Sequence, residues 1–283
     1  NHPQVTVHLQ SELLETGGFA GSFTSRISTP DGEIEVRHGA TVLATGAAEY
    51  KGPEYGYGTD PRIVSQYEFE AHLHAGEDIP ESIVMIQCVG PAERYCSRVC
   101  CTAAMTNSLA LKKLNPDAQI TVLYTDVRTY GFKERYYQEA REQGVMFVPY
   151  TFERKPSVEI GDSGLEITVW EPSLQEVLTL KPDMLVLSMP MVAQEGAEEL
   201  ATRLKVPQDM DGFFLEAHVK LRPVDFASDG LYMAGAAHYP KFIDESIAQA
   251  QAAAARAATI LSKDVLEVGG VIAHVDADKC VGC

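Results

Sequence analysis

Four cysteines, Cys88, Cys96, Cys100 and Cys101, fall within fourteen positions, and the residues on either side of them dictate the turn that must carry them. Upstream, Ser82-Ile-Val-Met-Ile-Gln87 is a short apolar run with the pattern of a buried strand. Downstream, Thr102 to Lys113 combines helix formers with an apolar rhythm. The thiols therefore sit where a strand turns into a helix. In a nucleotide-binding domain the first such turn carries Gly-x-Gly-x-x-Gly, which seats a pyrophosphate on the helix N-terminus. Here cysteines stand in its place, so no NAD(P) is expected at this turn, and electron traffic is expected instead of hydride traffic. The glycines of Tyr55-Gly-Tyr-Gly-Thr59 supply no substitute, because Asp60-Pro61 follow and no clear strand surrounds them.

Four thiolates on one turn could close around a cuboidal iron–sulfur cluster, which needs four soft anionic ligands. Arg94 and Arg98, with the amides of the helix start, are placed to offset its negative charge. A zinc site, a reversible dithiol pair and buried free cysteines are the competing readings. A second pair, Cys280 and Cys283, stands in Lys279-Cys-Val-Gly-Cys283, the opening of a Cys-x2-Cys-x2-Cys ferredoxin loop whose remaining ligands would lie further on.

The rest of the sequence reads as α/β. Val5–Leu9, Gly21–Ile27 and Ile34–Val36 are expected strands, with Thr29-Pro-Asp-Gly32 as a turn between the last two. Arg37 to Gly46 then forms an apolar strand closing on Ala44-Thr45-Gly46, where the glycine lets the backbone pass close to a cofactor. From about Glu81 to Leu180 strands and helices alternate: a strand at Ile120–Tyr124, a helix at Glu134–Gln143, a strand at Val145–Phe147. A hairpin around Gly161-Asp-Ser-Gly164 and an apolar strand at Met184–Ser188 follow. Near the end, Ser228 to Gly235 is a strand arriving at a glycine, and a helix is expected from about Ile247 to Leu261. A strand–Gly–helix unit aims its helix N-terminus at a cofactor; the alternative is that Leu231–Met233 and the alanine-rich helix are simply core.

Length and composition bound the rest. The 283 residues, 45% hydrophobic, suffice for two compact units. The net charge of -17 argues against nucleic acid and anionic lipid as partners, since both need a basic face. No apolar run reaches about 18 residues, so no membrane span is expected. Asn1-His2-Pro3-Gln4 has neither a basic nor an apolar signal region, which favours metal or redox chemistry over disulfides for the six cysteines. A start without Met and a close on Cys283 read as a piece of a larger chain.

Val84-Met-Ile-Gln-Cys-Val-Gly90, Tyr95-Cys-Ser-Arg-Val-Cys-Cys101, Tyr130-Gly131, Ala234-Gly235 with Pro240-Lys241, and the final Cys-Val-Gly-Cys283 occur in this order. Together they resemble the flavin-containing A subunit of heterodisulfide reductases and its relatives in quinone-interacting oxidoreductase complexes. The resemblance covers most of the chain from about His38 onward. It implies a two-dinucleotide-binding, thioredoxin-reductase-like flavoprotein fold, a parallel sheet with helices plus a small antiparallel sheet. It implies FAD, and a 4Fe–4S cluster held by Cys88, Cys96, Cys100 and Cys101, with Cys280 and Cys283 starting a truncated ferredoxin domain. Flavin contacts would fall at Thr45, Gly46, Gly235, Ala236 and the helix start at Ile247, with Lys241 near the flavin or else a solvated loop lysine.

The implied domains are 1–80, part of the FAD-type domain; 81–200, the second nucleotide-binding-like domain with the cysteines; 201–268, the rest of the FAD-type domain; and 269–283, the ferredoxin opening. Implied partners are other subunits of such a complex in a cytoplasmic setting, with a homodimer among the allowed assemblies. Three departures stand out: a short Cys88–Cys96 segment, no ferredoxin insert before the Ala-Thr-Gly strand, and no Gly-x-Gly-x-x-Gly half for the ADP part of FAD. The full-length parent is thus expected to hold FAD more firmly than this piece. Two rivals differ in class: a zinc-stabilised scaffold docking redox partners, and a pyridine-nucleotide disulfide oxidoreductase using Cys100–Cys101, for which no Cys-x-x-Cys pair stands at the turn.

Overall fold

The structure, a computed structural model, describes residues 2–266 apart from 77 and 163, together with residue 279. Cys280, Cys283 and the ferredoxin opening expected around them lie outside the described residues. An antiparallel meander comes first, built of β1 (Glu12–Phe19), β2 (Ser22–Thr29) and β3 (Gly32–His38), with Pro30 and Asp31 at the second turn. The strand expected at Val5–Leu9 does not form; Val5, Val7 and Leu9 alternate but stand exposed with no strand beside them. The first strand is β1, despite Gly17 and Gly18, because a tight turn at Ala20-Gly21 zips it onto β2. Pairing overrides propensity there.

The short strands β4 (Thr41–Leu43) and β5 (Ala47–Glu49) flank Ala44-Thr45-Gly46. β6 (Ile63–Ser65) then runs directly into α1 (Gln66–Ala75). A reciprocal cap starts that helix: the Glu68 N–H donates to Ser65 Oγ at 3.3 Å, and the Ser65 N–H donates to Glu68 Oε2 at 2.9 Å. A strand does therefore follow the Tyr55–Thr59 glycines, four residues on, contrary to expectation. Next come β7 (Ser82–Ile86), α2 (Cys100–Leu114), β8 (Gln119–Tyr124), α3 (Glu134–Glu142) and β9 (Met146–Pro149). A second meander, β10 (Ser157–Gly161), β11 (Gly164–Glu171) and β12 (Glu176–Leu180), precedes β13 (Met184–Leu187). The main sheet has the order β6-β13-β7-β8-β9, parallel throughout, with β7 at its centre.

β14 (Met191–Ala193) pairs antiparallel with β5, so the chain enters and leaves the main sheet side by side. α4 (Ala197–Leu204), β15 (Leu231–Met233) and α5 (Ile243–Leu261) complete the described elements, with β15 parallel to β4. α5 begins one turn earlier than expected, at Ile243 rather than Ile247. Glu245 Oε2 accepts the Phe242 N–H at 2.8 Å, and Asp244 and Glu245 suit the positive end of the helix. Among the described residues no helix is long and apolar enough to cross a membrane.

Alternation along β7 sends Val84 and Ile86 to one face, against Leu165, Ile167 and Val169 of β11. Ile83 and Met85 go to the other face, against Phe69 of α1 and Ala104, Met105 and Leu111 of α2. Each of these large buried side chains contributes about 1.5–3 kcal/mol relative to exposure. This clamp on both faces fixes where β7 ends, and the cysteine turn begins there. A separate core, including Leu43, Phe214, Phe226 and Met233, lies under β4 and β15, while α5 approaches Tyr232 and Ala234 through Ala253 and Ala257.

Candidate functional site

β7 delivers the cysteines. Gln87 still pairs with the sheet, its N–H donating to Leu123 O at 2.9 Å, and then Cys88 turns the chain out with φ +58. Arg98 repeats the left-handed conformation with φ +65, two residues before α2 starts. Non-glycine residues held there cost of order 1–3 kcal/mol each, so the surrounding contacts must impose the shape. Between them a 3-10 turn at Gly90–Glu93 folds the loop back.

Cys88, Cys96 and Cys101 line one cavity of about 190 Å³, together with Arg94, Thr125, Asp126, Arg128 and Phe152. Cys100 lines a neighbouring cavity of about 250 Å³ with Glu49, Met189 and Met191, its Sγ 3.8 Å from Met189 O. Cys101 Sγ instead approaches Asp126 O at 3.7 Å, so the two adjacent thiols face different carbonyls and are not paired as a disulfide. Three of the four expected ligands thus converge and the fourth points aside. Among the described residues no three His, Cys, Asp or Glu side chains are arranged around a metal position.

Burial pushes the Cys101 thiol up to about 11. Burial first, then like charge on Cys101, raises Cys100 further, and burial raises Cys88 against an opposing hydrogen bond from Thr125. These groups are thiols at neutral pH as they stand. Becoming thiolates requires positive charge in the cavity, which a metal centre brings.

The two expected arginines part ways. Arg94 lines the cysteine cavity and also pairs with Asp211 at 3.3 Å. Arg98 Nη2 donates to Glu245 Oε1 at 2.5 Å and to the Tyr130 hydroxyl at 2.7 Å, facing away from the cavity. The cation next to Cys96 is Arg128, held by Asp126 Oδ2 at 2.8 Å. Arg128 lies 27 positions beyond Cys101 and is brought back by the loop after β8, so only the sheet order could have placed it. The backbone of Arg98 does serve the turn: its N–H donates to Cys96 Sγ at 3.2 Å.

Atoms that lack partners do not decide whether a sulfur-rich group suits the turn. Among the described residues, the buried side-chain nitrogen and oxygen atoms without a hydrogen bond are both amide atoms of Gln87, Thr102 Oγ1 and Glu54 Oε2. Gln87 precedes Cys88 and Thr102 follows Cys101. Glu54 Oε1 lies 3.1 Å from where a Gly90 Cβ would stand. None of these residues lines the cavity of the cysteines, so the fit rests on the donor set itself: three soft thiols beside the Arg128 cation suit a sulfur-rich metal group.

A second site forms where β4 and β15 end. The Ala234 N–H donates to Leu43 O at 2.8 Å, and each strand then runs to a glycine, Gly46 or Gly235, both with φ +76. No heavy atom lies within 4 Å of where either Cβ would be, so an approaching cofactor meets bare backbone. Thr45 is exposed and Ala236 continues from Gly235 in a 3-10 turn. Lys241 is 5% exposed, hence no solvated loop lysine. Ile247 lies one turn into α5 and is exposed, away from the helix start expected of it. Sequence reading missed Gln249, whose Oε1 accepts the Gly235 N–H at 2.8 Å. Its Nε2 lies 2.6 Å from Nδ1 of His238, a residue paired with Glu216 at 2.7 Å. Both line a cavity of about 420 Å³ that also includes Lys241 and Glu245. Burial lowers the affinity of His238 for a proton, against the pull of Glu216.

The A subunit of the H(2):CoB-CoM heterodisulfide,ferredoxin reductase of Methanothermobacter marburgensis is 37% identical over 276 residues, covering 89% of this chain and 41% of that protein. The chain belongs with the heterodisulfide reductase A subunits. The A subunit of the ferredoxin:CoB-CoM heterodisulfide reductase of Methanosarcina acetivorans is 34% identical over 299 residues, covering 88% of this chain and 37% of its own length. The chain thus spans about two-fifths of the heterodisulfide reductase A subunits it matches. No family model matches it. Among solved structures, Lactococcus lactis thioredoxin reductase superposes with TM-score 0.53 at 14% identity, over 89% of this chain and 75% of that one. The thioredoxin reductase of T. acidophilum gives 0.52 at 16%, over 89% and 72%. The fold is thioredoxin-reductase-like, as the motifs implied.

Proposed function

We propose that this chain is part of an oxidoreductase in which electrons pass between FAD and a 4Fe–4S cluster, within a heterodisulfide reductase-like or quinone-interacting complex. The observation that carries the reading is the convergence of Cys88, Cys96 and Cys101 on one cavity that Arg128 also lines. When bound there, the cluster supplies one-electron chemistry. The protein's share is placement. Cys88 comes from the end of β7, Cys96 from the loop and Cys101 from α2, so each side of the cavity is tied to a different element. Cys100 completes the set by leaving Met189 O. Arg128 and the Arg98 N–H face Cys96 and offset negative charge on it.

On the flavin side, Gly46 and Gly235 supply open backbone at the ends of β4 and β15, with Thr45 and Ala236 next to them and the Lys241 charge close to Gly235. Residues 1–80 and 201–268 form the flavin-type unit, 81–200 the cysteine-bearing unit, and Cys280 and Cys283 open a further cluster loop. The names of the relatives suggest ferredoxin and a CoB-CoM heterodisulfide as reaction partners of the whole protein.

The test is iron, acid-labile sulfide and zinc per chain after anaerobic reconstitution, beside Cys100→Ser and Cys101→Ser. About four irons and four sulfides, lost in both variants, is the expected result. About one zinc without sulfide sinks the electron-transfer reading and favours a zinc-stabilised scaffold that docks redox partners.

A further inference from the structure

Both polar groups of the Gly235 backbone are held by side chains. Its N–H donates to Gln249 Oε1 at 2.8 Å, and its carbonyl accepts from Lys241 Nζ at 2.6 Å. A backbone N–H can only donate, and this fixes which way round the Gln249 amide stands. Its oxygen faces Gly235, so its nitrogen faces His238 Nδ1, 2.6 Å away. That nitrogen also only donates, so Nδ1 must present its lone pair. The proton of the neutral ring is therefore on Nε2, which donates to Glu216 Oε2 at 2.7 Å. Gly235 donates to Gln249, Gln249 to His238, and His238 to Glu216, all in one direction. His238 is 7% exposed, so its ring depends on these two partners.

We propose that Glu216, His238 and Gln249 are positioning residues that form a proton-operated latch on the Gly235 amide, closed while His238 is neutral and open once it is protonated. A second proton can enter the ring only at Nδ1. The imidazolium then aims an N–H at the Gln249 nitrogen, and two donors face each other. When the Gln249 amide turns over, its oxygen accepts from His238 and its nitrogen faces the Gly235 N–H, which loses its acceptor. Turning is favoured because a buried charged donor without an acceptor costs more than a half-buried neutral one. Asp209 and Glu216 from the preceding loop, Glu245 from α5, and Tyr239 and Lys241 from its own turn face His238. His218 acts on it through Glu216. Burial lowers the proton affinity of His238 below the ordinary value of 6.5, against the pull of Glu216 and with the push of Lys241, so the latch is closed at neutral pH. Conversely, an acceptor that takes the Gly235 N–H frees Gln249 for His238, so ligand uptake and proton uptake favour each other. That such an acceptor belongs to a flavin rests on the reading above, whereas the latch does not.

The test is nitrogen-15 NMR on the whole chain between about pH 7 and about pH 5, the range in which His238 takes up its proton while Lys241 stays charged. Two quantities are read: which ring nitrogen of His238 carries the proton, and the hydrogen-exchange protection of the Gly235 amide. Expected are a proton on Nε2 at the upper end, and protection that falls about tenfold as the ring becomes doubly protonated. Gln249→Glu puts a carboxylate in the latch, which accepts from Gly235 and from protonated His238 at once. In that variant Gly235 should stay protected throughout, and His238 should keep its second proton to higher pH. A neutral ring protonated on Nδ1 overturns the proposal. So does Gly235 protection that stays constant while His238 titrates, or a His238 that stays neutral until the chain unfolds in acid. Gln249→Glu losing protection as the wild type does overturns it too; if this variant does not fold, the wild-type readings alone decide. FAD uptake is measured separately by equilibrium dialysis: its absence sinks the flavin reading and leaves the latch to the exchange data.

Discussion

Lys241 Nζ donates to the carbonyl oxygens of Gly235 at 2.6 Å and Tyr239 at 3.0 Å, and it stands 3.8 Å from the centroid of the Tyr239 ring. Burial is the leading reason its pKa falls to about 8, against the pull of Glu245 and Glu216 and together with the push of Arg98. The sign follows directly. Between pH 8 and the ordinary lysine value of 10.5 the unfolded chain binds this proton and the folded chain does not. Stability assigned to Lys241 is therefore lowest below pH 8 and rises as the pH climbs through that window. In urea unfolding at successive pH values, the wild type should gain on Lys241→Met by roughly 2 kcal/mol across the window. A flat difference would place the ammonium in contact with water. Nothing in Tyr239-Pro240-Lys241 announces this burial, because it arises from the fold of Gly235 and Tyr239 around the side chain. The cysteines were legible for the opposite reason: four thiols at a strand-to-helix junction limit the chemistry before any tertiary contact is known.

At the scale of elements, the N-terminus of α5 and the cysteine turn meet through one ion pair. Arg98 stacks over the rings of Tyr130 and Tyr239, at 5.3 and 5.7 Å from their centroids, while its guanidinium reaches Glu245. Glu245 also caps Phe242, so the acid that starts α5 is the one that holds the turn. Both side chains are about one-third exposed, which limits the pair to an intermediate strength. A double-mutant cycle of Arg98→Ala and Glu245→Gln in denaturant unfolding should return a coupling of about 1 kcal/mol. Strict additivity would mean that the turn and the helix do not support each other. The main strands and helices are readable from periodicity. α1 is not, although Ser65 and Glu68 spell a capping box, because Tyr67, Phe69, Ala71, Leu73 and Ala75 alternate with polar residues at the two-residue period of a strand. The early start of α5 is signalled by Asp244 and Glu245 but masked by the loop-like Pro240-Lys241. The destinations of Arg94 and Arg98 lie beyond sequence reading, since each pairs with an acid far along the chain, and so does the approach of Arg128 to Cys96.

For the molecule as a whole, alternating strands and helices imply a parallel sheet, but the insertion of β13 between β6 and β7 joins strands about 100 positions apart and leaves no local mark. The same long-range closure leaves a chain with 40 acidic and 23 basic residues folded compactly at a net charge of -17. Many of its ion pairs, such as Arg26 with Glu15 and Arg37 with Glu35, are well exposed, so water and salt screen them and they contribute little. The excess carboxylates repel one another at all separations up to the screening length, which is about 8 Å at physiological ionic strength. Salt weakens both effects, but repulsion from unpaired acids involves more charges than the exposed pairs do. Raising KCl from about 20 mM to about 300 mM should therefore raise the melting temperature of the chain at neutral pH. A fall would show instead that the surface pairs outweigh the net charge. The same measurement bears on partners: a negative surface that relaxes in salt is one on which a basic protein, in a complex of the kind the relatives form, would bind faster as ionic strength drops.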